Sequence, residues 1–318
     1  MPNPTKTLPK KLISPSPHIR TGATTQKIMS DVIIALLPAV FAGVYFFGIR
    51  AGFIMLVSVL TAVCVEALYQ RLTKQEVTVW DLSAVITGLL LGMNLPPSAP
   101  VWLAVIGSLF AIIVVKQLFG GLGQNFMNPA LAARAFLLAS YPAEMTSWTE
   151  PARNIFSSDA VTTATPLALL KEGGFIPELA DYTAAFMGSI GGSIGETSAI
   201  ALIIGGIYLL AKKVITWHIP FAYIATVYAL TFFIGRDAAM TGYPLYEIFA
   251  GGLLLGAIFM ATDYSSSPIK SDGKLLMGIG CGIITVIIRI YGGYPEGVTY
   301  GILLMNLAVP LIDRYCRG

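Results

Sequence analysis

Long apolar runs separated by short polar segments make up most of the chain. A membrane-spanning helix needs about 20 apolar residues, and fewer where the helix is broken or buried in protein. Ten runs meet this description, and the third and fifth are short and interrupted. The predicted spans are residues 30–49, 51–70, 82–95, 101–118, 129–141, 197–211, 219–235, 246–262, 275–291 and 298–312.

Composition strengthens this interpretation. Of the 318 residues, 55% are hydrophobic and only 12% are charged, whereas soluble domains carry about 25% charged residues. The 32 glycines suit closely packed membrane helices. The fold class is therefore predicted to be an all-α integral membrane protein. A net charge of +3, without a basic cluster interleaved with aromatic residues, excludes a nucleic-acid-binding protein.

Basic residues predict the orientation of the chain. With the N-terminus in the cytoplasm and ten alternating spans, 14 of the 20 basic residues fall on the cytoplasmic side. Four fall outside, namely Arg50, Arg153, Lys171 and Arg236. This distribution obeys the positive-inside rule. Both termini are thus predicted to be cytoplasmic in the inner (plasma) membrane, and the polar, basic N-terminal segment is interpreted as a cytoplasmic arm, not a signal peptide.

A sequence motif that occurs twice predicts two inverted repeats of five helices each. "GLLLG" occurs at 88–92 and again at 252–256, and a polar interruption containing proline follows each copy. Gly-Gly pairs then follow at 120–121 and 292–293. Five spans separate the copies, so they run in opposite directions, as in many transporters. The predicted divisions are a cytoplasmic arm (1–29), a first membrane repeat (30–141), an extracytoplasmic loop (142–196), a second membrane repeat (197–312) and a cytoplasmic tail (313–318).

The outer loop contains the polar stretch "DAVTTATPLALLKEG", residues 159–173. Its structural interpretation is a short helix with Thr165 as N-cap, Pro166 at the first helical position and Gly173–Gly174 at the end. A functional interpretation uses the same geometry, because backbone N–H groups and the helix dipole at an N-terminus favour a phosphate.

Four polar residues at membrane depth are candidate site residues. Asn94 and Asp263 close the two interrupted spans, and Asn125 and Asn128 precede Pro129 at the start of the fifth span. Each could satisfy backbone groups at a helix end, or could line a ligand or ion site, because irregular backbone inside a membrane must be buried in protein or line a cavity.

Two charged residues within predicted spans need partners. Arg134, one turn into the fifth span, requires a carboxylate, a carbonyl or an anionic cofactor group. Glu66 is interpreted as reaching water or pairing with nearby Arg71. No metal site is predicted, because the histidines and cysteines lack ligand-like spacing; they are His18, His218, Cys64, Cys281 and Cys316.

The string Asp159-x-x-Thr162-x-Ala164-Thr165 resembles the acceptor sequence of flavinylated proteins. In those proteins a metal-dependent flavin transferase joins FMN through its phosphate to the final threonine. The resemblance therefore implies a covalent FMN on Thr165, attached outside the cytoplasm, where the bacterial transferase acts.

Four blocks extend the resemblance to almost the whole chain. They are "SPHIRTGATTQKIMSDVIIALLPA" from residue 16, "KQLFGGLGQNFMNPA" from 116, "DAVTTATPL" from 159, and "FMATDYSSSPIKSDGKLLMGIGCGIITVIIRIYGGYPEGVTYGILLMN" from 259. They resemble the RnfD/NqrB family, whose two branches belong to the Rnf electron-transport complex and to the sodium-pumping NADH:quinone reductase. The shorter N-terminus favours the Rnf branch.

This resemblance implies a role in electron transfer between reduced ferredoxin and NAD, coupled to movement of Na⁺ or H⁺. The chain would relay electrons through its flavin as one subunit of an oxidoreductase. Its partners would be a second flavin-bearing subunit, iron–sulfur subunits and a flavin transferase, and a second, non-covalent flavin such as riboflavin is also implied. Two alternatives stay open: a small-solute channel or secondary transporter of inverted-repeat fold, and a structural scaffold.

Overall fold

The computed structural model describes residues 24–151, 162–163, 165–172, 177–234, 243–294 and 296–316. Helices dominate this part of the chain. They are α1 (Thr25–Phe47), α2 (Ile49–Leu72), α3 (Ser83–Met93), α4 (Val101–Leu109), α5 (Pro129–Ser140), α6 (Pro142–Met145), α7 (Pro166–Lys171), α8 (Leu179–Met187), α9 (Ala199–Ala211), α10 (His218–Phe233), α11 (Pro244–Phe249), α12 (Leu253–Leu255), α13 (Ser271–Tyr291) and α14 (Val298–Tyr315).

Two of these helices continue into π-helical segments. α4 runs on through Phe110–Lys116 and ends in a 3₁₀ turn at Gln117–Phe119, and α12 runs on through Gly256–Met260. A further 3₁₀ turn spans Val79–Asp81. Such segments change the direction in which side chains leave a helix.

Four helical stretches of the described chain are long and apolar enough to cross a membrane: Thr25–Phe47, Ile49–Leu72, Val101–Phe119 and Ser271–Tyr291. Shorter helices lie at the other predicted spans, and four of them are mainly apolar, namely Ser83–Met93, Pro129–Ser140, Ala199–Ala211 and His218–Phe233. The structure is thus that of a mostly helical multi-pass membrane protein. The number of ten spans and their orientation stay predictions.

The two predicted interruptions are present, but their local structures differ. In the first copy of "GLLLG", Gly88 and Gly92 lie inside α3, which ends at Met93 with Asn94 as its C-cap. In the second copy, Gly252 is the N-cap of α12 and Gly256 begins the π-helical segment. The Gly-Gly pairs differ as well, because 120–121 adopts positive φ and 292–293 does not. The inverted repeat therefore stays a prediction.

Glycines bring neighbouring helices into close contact. A methyl group added at Gly278 of α13 would lie 2.9 Å from the carbonyl oxygen of Ile219 in α10. One added at Gly88 of α3 would lie 2.7 Å from the carbonyl oxygen of Ser58 in α2. Small residues at helix interfaces let backbones approach in this way in membrane proteins.

A short two-stranded sheet is the one departure from the all-α prediction among the described residues. β1 (Trp148–Thr149) pairs antiparallel with β2 (Thr162–Thr163), with Trp148 opposite Thr163. The ladder joins the start of the outer loop to the segment just before Thr165. Two residues per strand carry too little periodic signal for the sequence to predict them.

Candidate functional site

Thr165 occupies the position that the sequence predicts for it. It is the N-cap of α7, where its Oγ1 accepts a hydrogen bond of 3.2 Å from the N–H of Ala168, and Pro166 opens the helix. The residue is only 4% exposed. The predicted terminators Gly173–Gly174 lie outside the described residues, and α7 ends at Lys171.

A cavity of about 230 Å³ opens beside Thr165, and we call it the outer cavity. Two aromatic residues and an ion pair contribute to its wall. Its lining residues are Arg134, Leu138, Met145, Thr146, Trp148, Thr165, Ala168, Tyr294 and Glu296. The cavity thus brings a candidate acceptor hydroxyl together with aromatic rings and a buried cation.

Two contacts hold α7 against the membrane helices. The Nζ of Lys171 donates to the carbonyl oxygens of Gly292 and Tyr294, at 3.1 Å for the latter. At the other end of the helix, Leu167 is buried against Gly251, where an added methyl group would lie 2.6 Å from the leucine Cδ1. These contacts fix Thr165 relative to Tyr294.

Arg134 is the centre of a buried polar cluster behind the outer cavity. Its Nη2 donates to Glu296 Oε2 at 2.5 Å and to Ser193 Oγ at 3.4 Å. Its Nη1 donates to Asn94 Oδ1 at 2.8 Å and lies 4.0 Å from Glu196 Oε2. The partner that the sequence required for this arginine is therefore a carboxylate. We call these five residues the buried cluster.

Glu196 is the least satisfied member of the buried cluster. It precedes α9, in the segment assigned to the outer loop, and it is 1% exposed. Its Oε1 accepts from the N–H of Ser193 at 2.9 Å, while its Oε2 has no hydrogen-bond partner among the described residues. Burial, followed by the neighbouring Glu296 carboxylate, raises the pKa of Glu196.

A second cavity, of about 90 Å³, lies among α1, α3, α5 and the segment after α12, and we call it the inner cavity. Asn125, Asn128 and Asp263 all line it. Asp263 Oδ2 accepts from Ser265 Oγ at 2.9 Å and from Asn125 Nδ2 at 3.5 Å. The structure thus brings three of the four predicted membrane-depth residues together.

Helix capping occupies most of the polar groups of Asn128. Its Oδ1 accepts from the N–H groups of Ala130 and Leu131, at 3.0 and 3.2 Å, and its Nδ2 donates to the Met260 carbonyl oxygen at 3.1 Å. Asn125 likewise donates to the Met127 carbonyl oxygen. The structural interpretation of both residues fits these contacts.

Asn94 does not join the other three residues. Its Nδ2 donates to the Leu90 carbonyl oxygen at 2.7 Å, which satisfies backbone at the end of α3, and its Oδ1 accepts from Arg134. It therefore belongs to the buried cluster. Its Nδ2 also lies 3.6 Å from Sδ of Met260, the residue whose carbonyl oxygen accepts from Asn128.

A buried ion pair adjoins the inner cavity. Lys116 Nζ lies 2.9 and 2.8 Å from the two carboxylate oxygens of Glu66 and 2.6 Å from Ser83 Oγ. Glu66 is fully buried. The sequence-based expectation that Glu66 reaches water or pairs with Arg71 is wrong, because the π-helical end of α4 turns Lys116 inward.

Some predicted residues cannot be placed. Asp159 and Ala164 lie outside the described residues, and Thr162 is described only as part of β2. Sequence reasoning also missed the aromatic rings of Trp148 and Tyr294 and the carboxylates of Glu196 and Glu296. Of these, only Tyr294 and Glu296 carried a signal, since both belong to the "YPEGV" block that the resemblance uses.

Comparison with known proteins gives the same relationship over nearly the whole chain. The model of the NQR2, RnfD, RnfE family matches residues 12–318. A relative from Acetobacterium woodii, named as the D subunit of a Na(+)-translocating ferredoxin:NAD(+) oxidoreductase complex, is 52% identical over 307 residues, which cover 96% of this chain and 93% of the relative.

Two further relatives agree. The D subunit of the proton-translocating ferredoxin:NAD(+) oxidoreductase complex of Clostridium ljungdahlii is 46% identical, covering 96% of this chain and 94% of the relative. The D subunit of the ion-translocating oxidoreductase complex of Stutzerimonas stutzeri is 40% identical, covering 93% and 91%. With a family model and full-length relatives in agreement, the chain belongs to the NQR2, RnfD, RnfE family.

Proposed function

We propose that this chain is the D subunit of an Rnf-type ferredoxin:NAD oxidoreductase, and that it relays electrons through an FMN joined by a phosphoester to Thr165. The observation that carries the proposal is the position of Thr165. This residue ends the acceptor-like string and borders the outer cavity, in a chain whose relatives are named as subunits of such complexes.

The outer cavity has the chemistry that such a group needs. Trp148 and Tyr294 offer aromatic surface to a flat ring, and the Arg134 guanidinium, which is paired with Glu296, lines the same cavity. Its volume of about 230 Å³ is slightly below the ~300–1,000 Å³ of typical ligand pockets. It would therefore enclose part of an FMN and leave part accessible to an electron-transfer partner.

The chain's contribution is to anchor and orient the group. Bound FMN would supply one- and two-electron redox chemistry. Thr165 would hold the phosphate through Oγ1, and the anchoring of α7 by Lys171 and Leu167 would fix the ester beside Tyr294. Because Thr165 is buried, the flavin transferase would need this segment to open locally before it could reach the hydroxyl.

The inner cavity does not fit a second flavin. Asn125, Asn128 and Asp263 offer hydrogen-bonding groups, but about 90 Å³ is far below the volume of a cofactor pocket. We therefore derive no step through a riboflavin at these residues. A role for them on an ion path, with Na⁺ or H⁺ as the coupled ion, is compatible with their position.

As a subunit, the chain would have a defined orientation and defined partners in a membrane assembly. The chain would lie in the plasma membrane as two inverted five-helix repeats, residues 30–141 and 197–312, with cytoplasmic termini and the flavin on the outer face. Its partners would be a second flavin-bearing subunit and iron–sulfur subunits of the complex. The positive-inside charge distribution supports the orientation, and the names of the relatives support membership of a multi-subunit complex.

Flavin fluorescence in a denaturing gel tests the attachment. The full chain, produced in a host with its flavin transferase, should fluoresce as a band that survives denaturation. Thr165→Val should abolish the band. Thr146→Val, which alters a hydroxyl lining the same cavity but outside the acceptor string, should retain it. A fluorescent Thr165→Val band would place the flavin elsewhere, whereas dark wild-type protein would favour the solute transporter.

A further inference from the structure

The buried cluster holds more negative than positive charge. Glu196 and Glu296 are both directed at Arg134, and they lie 4.0 and 2.5 Å from its two terminal nitrogens. With both carboxylates ionised, this group would carry one uncompensated negative charge. A buried charge without compensation costs several kcal/mol, so such groups usually take up a counter-ion or become neutral.

The geometry of the cluster argues against neutralisation by a metal ion. Both carboxylates face the Arg134 guanidinium, whose positive charge would repel a second cation. A bound Na⁺ would also need several converging oxygen atoms. Glu296 already accepts a hydrogen bond of 2.5 Å from Arg134. Protonation of Glu196 Oε2 requires no additional ligands, and this oxygen lacks a hydrogen-bond partner among the described residues.

We propose that Glu196 is a proton-binding site, and that Arg134 links its protonation to the charge present in the outer cavity. The first half of this proposal stands on the buried cluster alone, and the second half rests on the proposed flavin at Thr165. Arg134 and Glu296 line the outer cavity, while Arg134 also faces Glu196 on its buried side.

The linkage follows from electrostatics. An added negative charge in the outer cavity offsets part of the positive potential that Arg134 exerts at the two carboxylates. The ionised form of Glu196 is then less stable. Glu196 then binds one proton from water, and it releases that proton when the charge leaves. The proton comes from the solvent, and because Glu196 is a single site, at most one proton is taken up, and only by molecules in which Glu196 is still ionised.

Few other titratable groups face Glu196. Besides Arg134 of α5 and Glu296 before α14, Tyr300 of α14 lies near Arg134. Arg289 of α13 and Glu296 both lie close to Gly251. A methyl group added at Gly251 would be 3.7 Å from the Arg289 guanidinium. Asn94 of α3, Ser193 and Gly252 are the neutral neighbours.

Infrared difference spectroscopy of the full chain tests the proton-binding site at Glu196 without any flavin. In a Thr165→Val background, a pH titration should show the C=O stretching band of a buried protonated carboxyl. Adding Glu196→Gln should remove the band, and Glu196→Asp should move it. The exposed control Glu76→Gln should leave it in place. A band that persists unchanged in both Glu196 variants would overturn the proton site.

Redox titration of the flavin in the assembled complex tests the link between Glu196 and the charge in the outer cavity. The midpoint potential should fall as pH rises across the range in which Glu196 titrates, and Glu196→Gln should flatten this component while Glu76→Gln preserves it. An unchanged pH dependence in Glu196→Gln would refute the link through Arg134. Absence of flavin from Thr165 would instead refute the proposed function, and the infrared result would still decide the proton site.

Discussion

Two adjacent glycines, Gly251 and Gly252, allow the break in the eighth predicted span to lie close to α7 and to the buried cluster. Gly251 has a φ of +82° and contacts Leu167 of α7. At Gly252, an added methyl group would lie 2.7 Å from Glu196 Oε2. Only glycine adopts the first conformation without strain and leaves room at both positions. The outer-loop helix and the buried cluster therefore depend on the same two residues.

Replacing Gly251 with alanine should weaken the docking of α7. Forcing a side chain into the left-handed region costs about 1–2 kcal/mol, and the added methyl group would collide with Leu167. We expect a lower thermal unfolding temperature in detergent and less flavin on Thr165.

Gly293→Ala is the matched control for this change. No atom lies within 4 Å of a methyl group added there, and its φ is not in the left-handed region. It should behave as wild type. Equal stability and equal flavin content in the two variants would contradict the role given to Gly251.

Individual residues also show what a sequence can and cannot predict. The N-cap roles of Thr165 and Asn128 were accessible, because capping depends on local residue type and on a following proline. The position of Glu196 was not, because its burial depends on hydrogen bonds between residues far apart in sequence. Ile194 and Gly195 donate to the carbonyl oxygens of Leu95 and Met93, which draws Glu196 into the helix bundle.

At the scale of elements, the departure of α4 into a π-helical segment has the largest consequence. The sequence predicts a regular span over 101–118, but residues Phe110–Lys116 are π-helical. This segment places Lys116 against Glu66 of α2 and Ser83 of α3. Apolar periodicity contains no signal for a single wider turn, so this ion pair could not be predicted.

Breaking the Glu66–Lys116 pair from one side should be more harmful than removing both charges. Glu66→Gln or Lys116→Met alone leaves a buried charge uncompensated, which typically costs about 3–5 kcal/mol. The double variant should lose clearly less than the sum of the two single losses. A double-mutant cycle on unfolding in detergent measures this coupling.

Glu76→Gln provides the reference for this cycle, because it alters an exposed carboxylate beyond the end of α2. It should change stability by no more than about 0.5 kcal/mol. Strictly additive losses for the Glu66 and Lys116 variants would show that the pair does not stabilise the contact between α2 and α4.

For the whole molecule, a series of polar contacts connects the outer cavity with the inner cavity. Arg134 borders the first and donates to Asn94, while Asn128 and Asp263 border the second. Met260 contacts both asparagines. Apolar spans predicted the helical architecture, but this arrangement arises only when the two broken helices meet, which a linear pattern does not specify.

Cysteine labelling tests the orientation of this arrangement. In a background without Cys64, Cys281 and Cys316, Glu150→Cys should react with a membrane-impermeant maleimide in intact cells. Glu76→Cys should react only after permeabilisation. Both positions are exposed, so accessibility differs only by the side of the membrane. Reaction of both from the same side would contradict the predicted topology.

Mass spectrometry of the peptide containing Thr165 shows directly whether this residue carries FMN. The protein should be taken from its own membrane, with its flavin transferase present. We expect a mass increase of one FMN less one water, located on Thr165 and absent from Thr165→Val. An unmodified Thr165, in cells where other acceptor threonines are flavinylated, would contradict the electron-relay role.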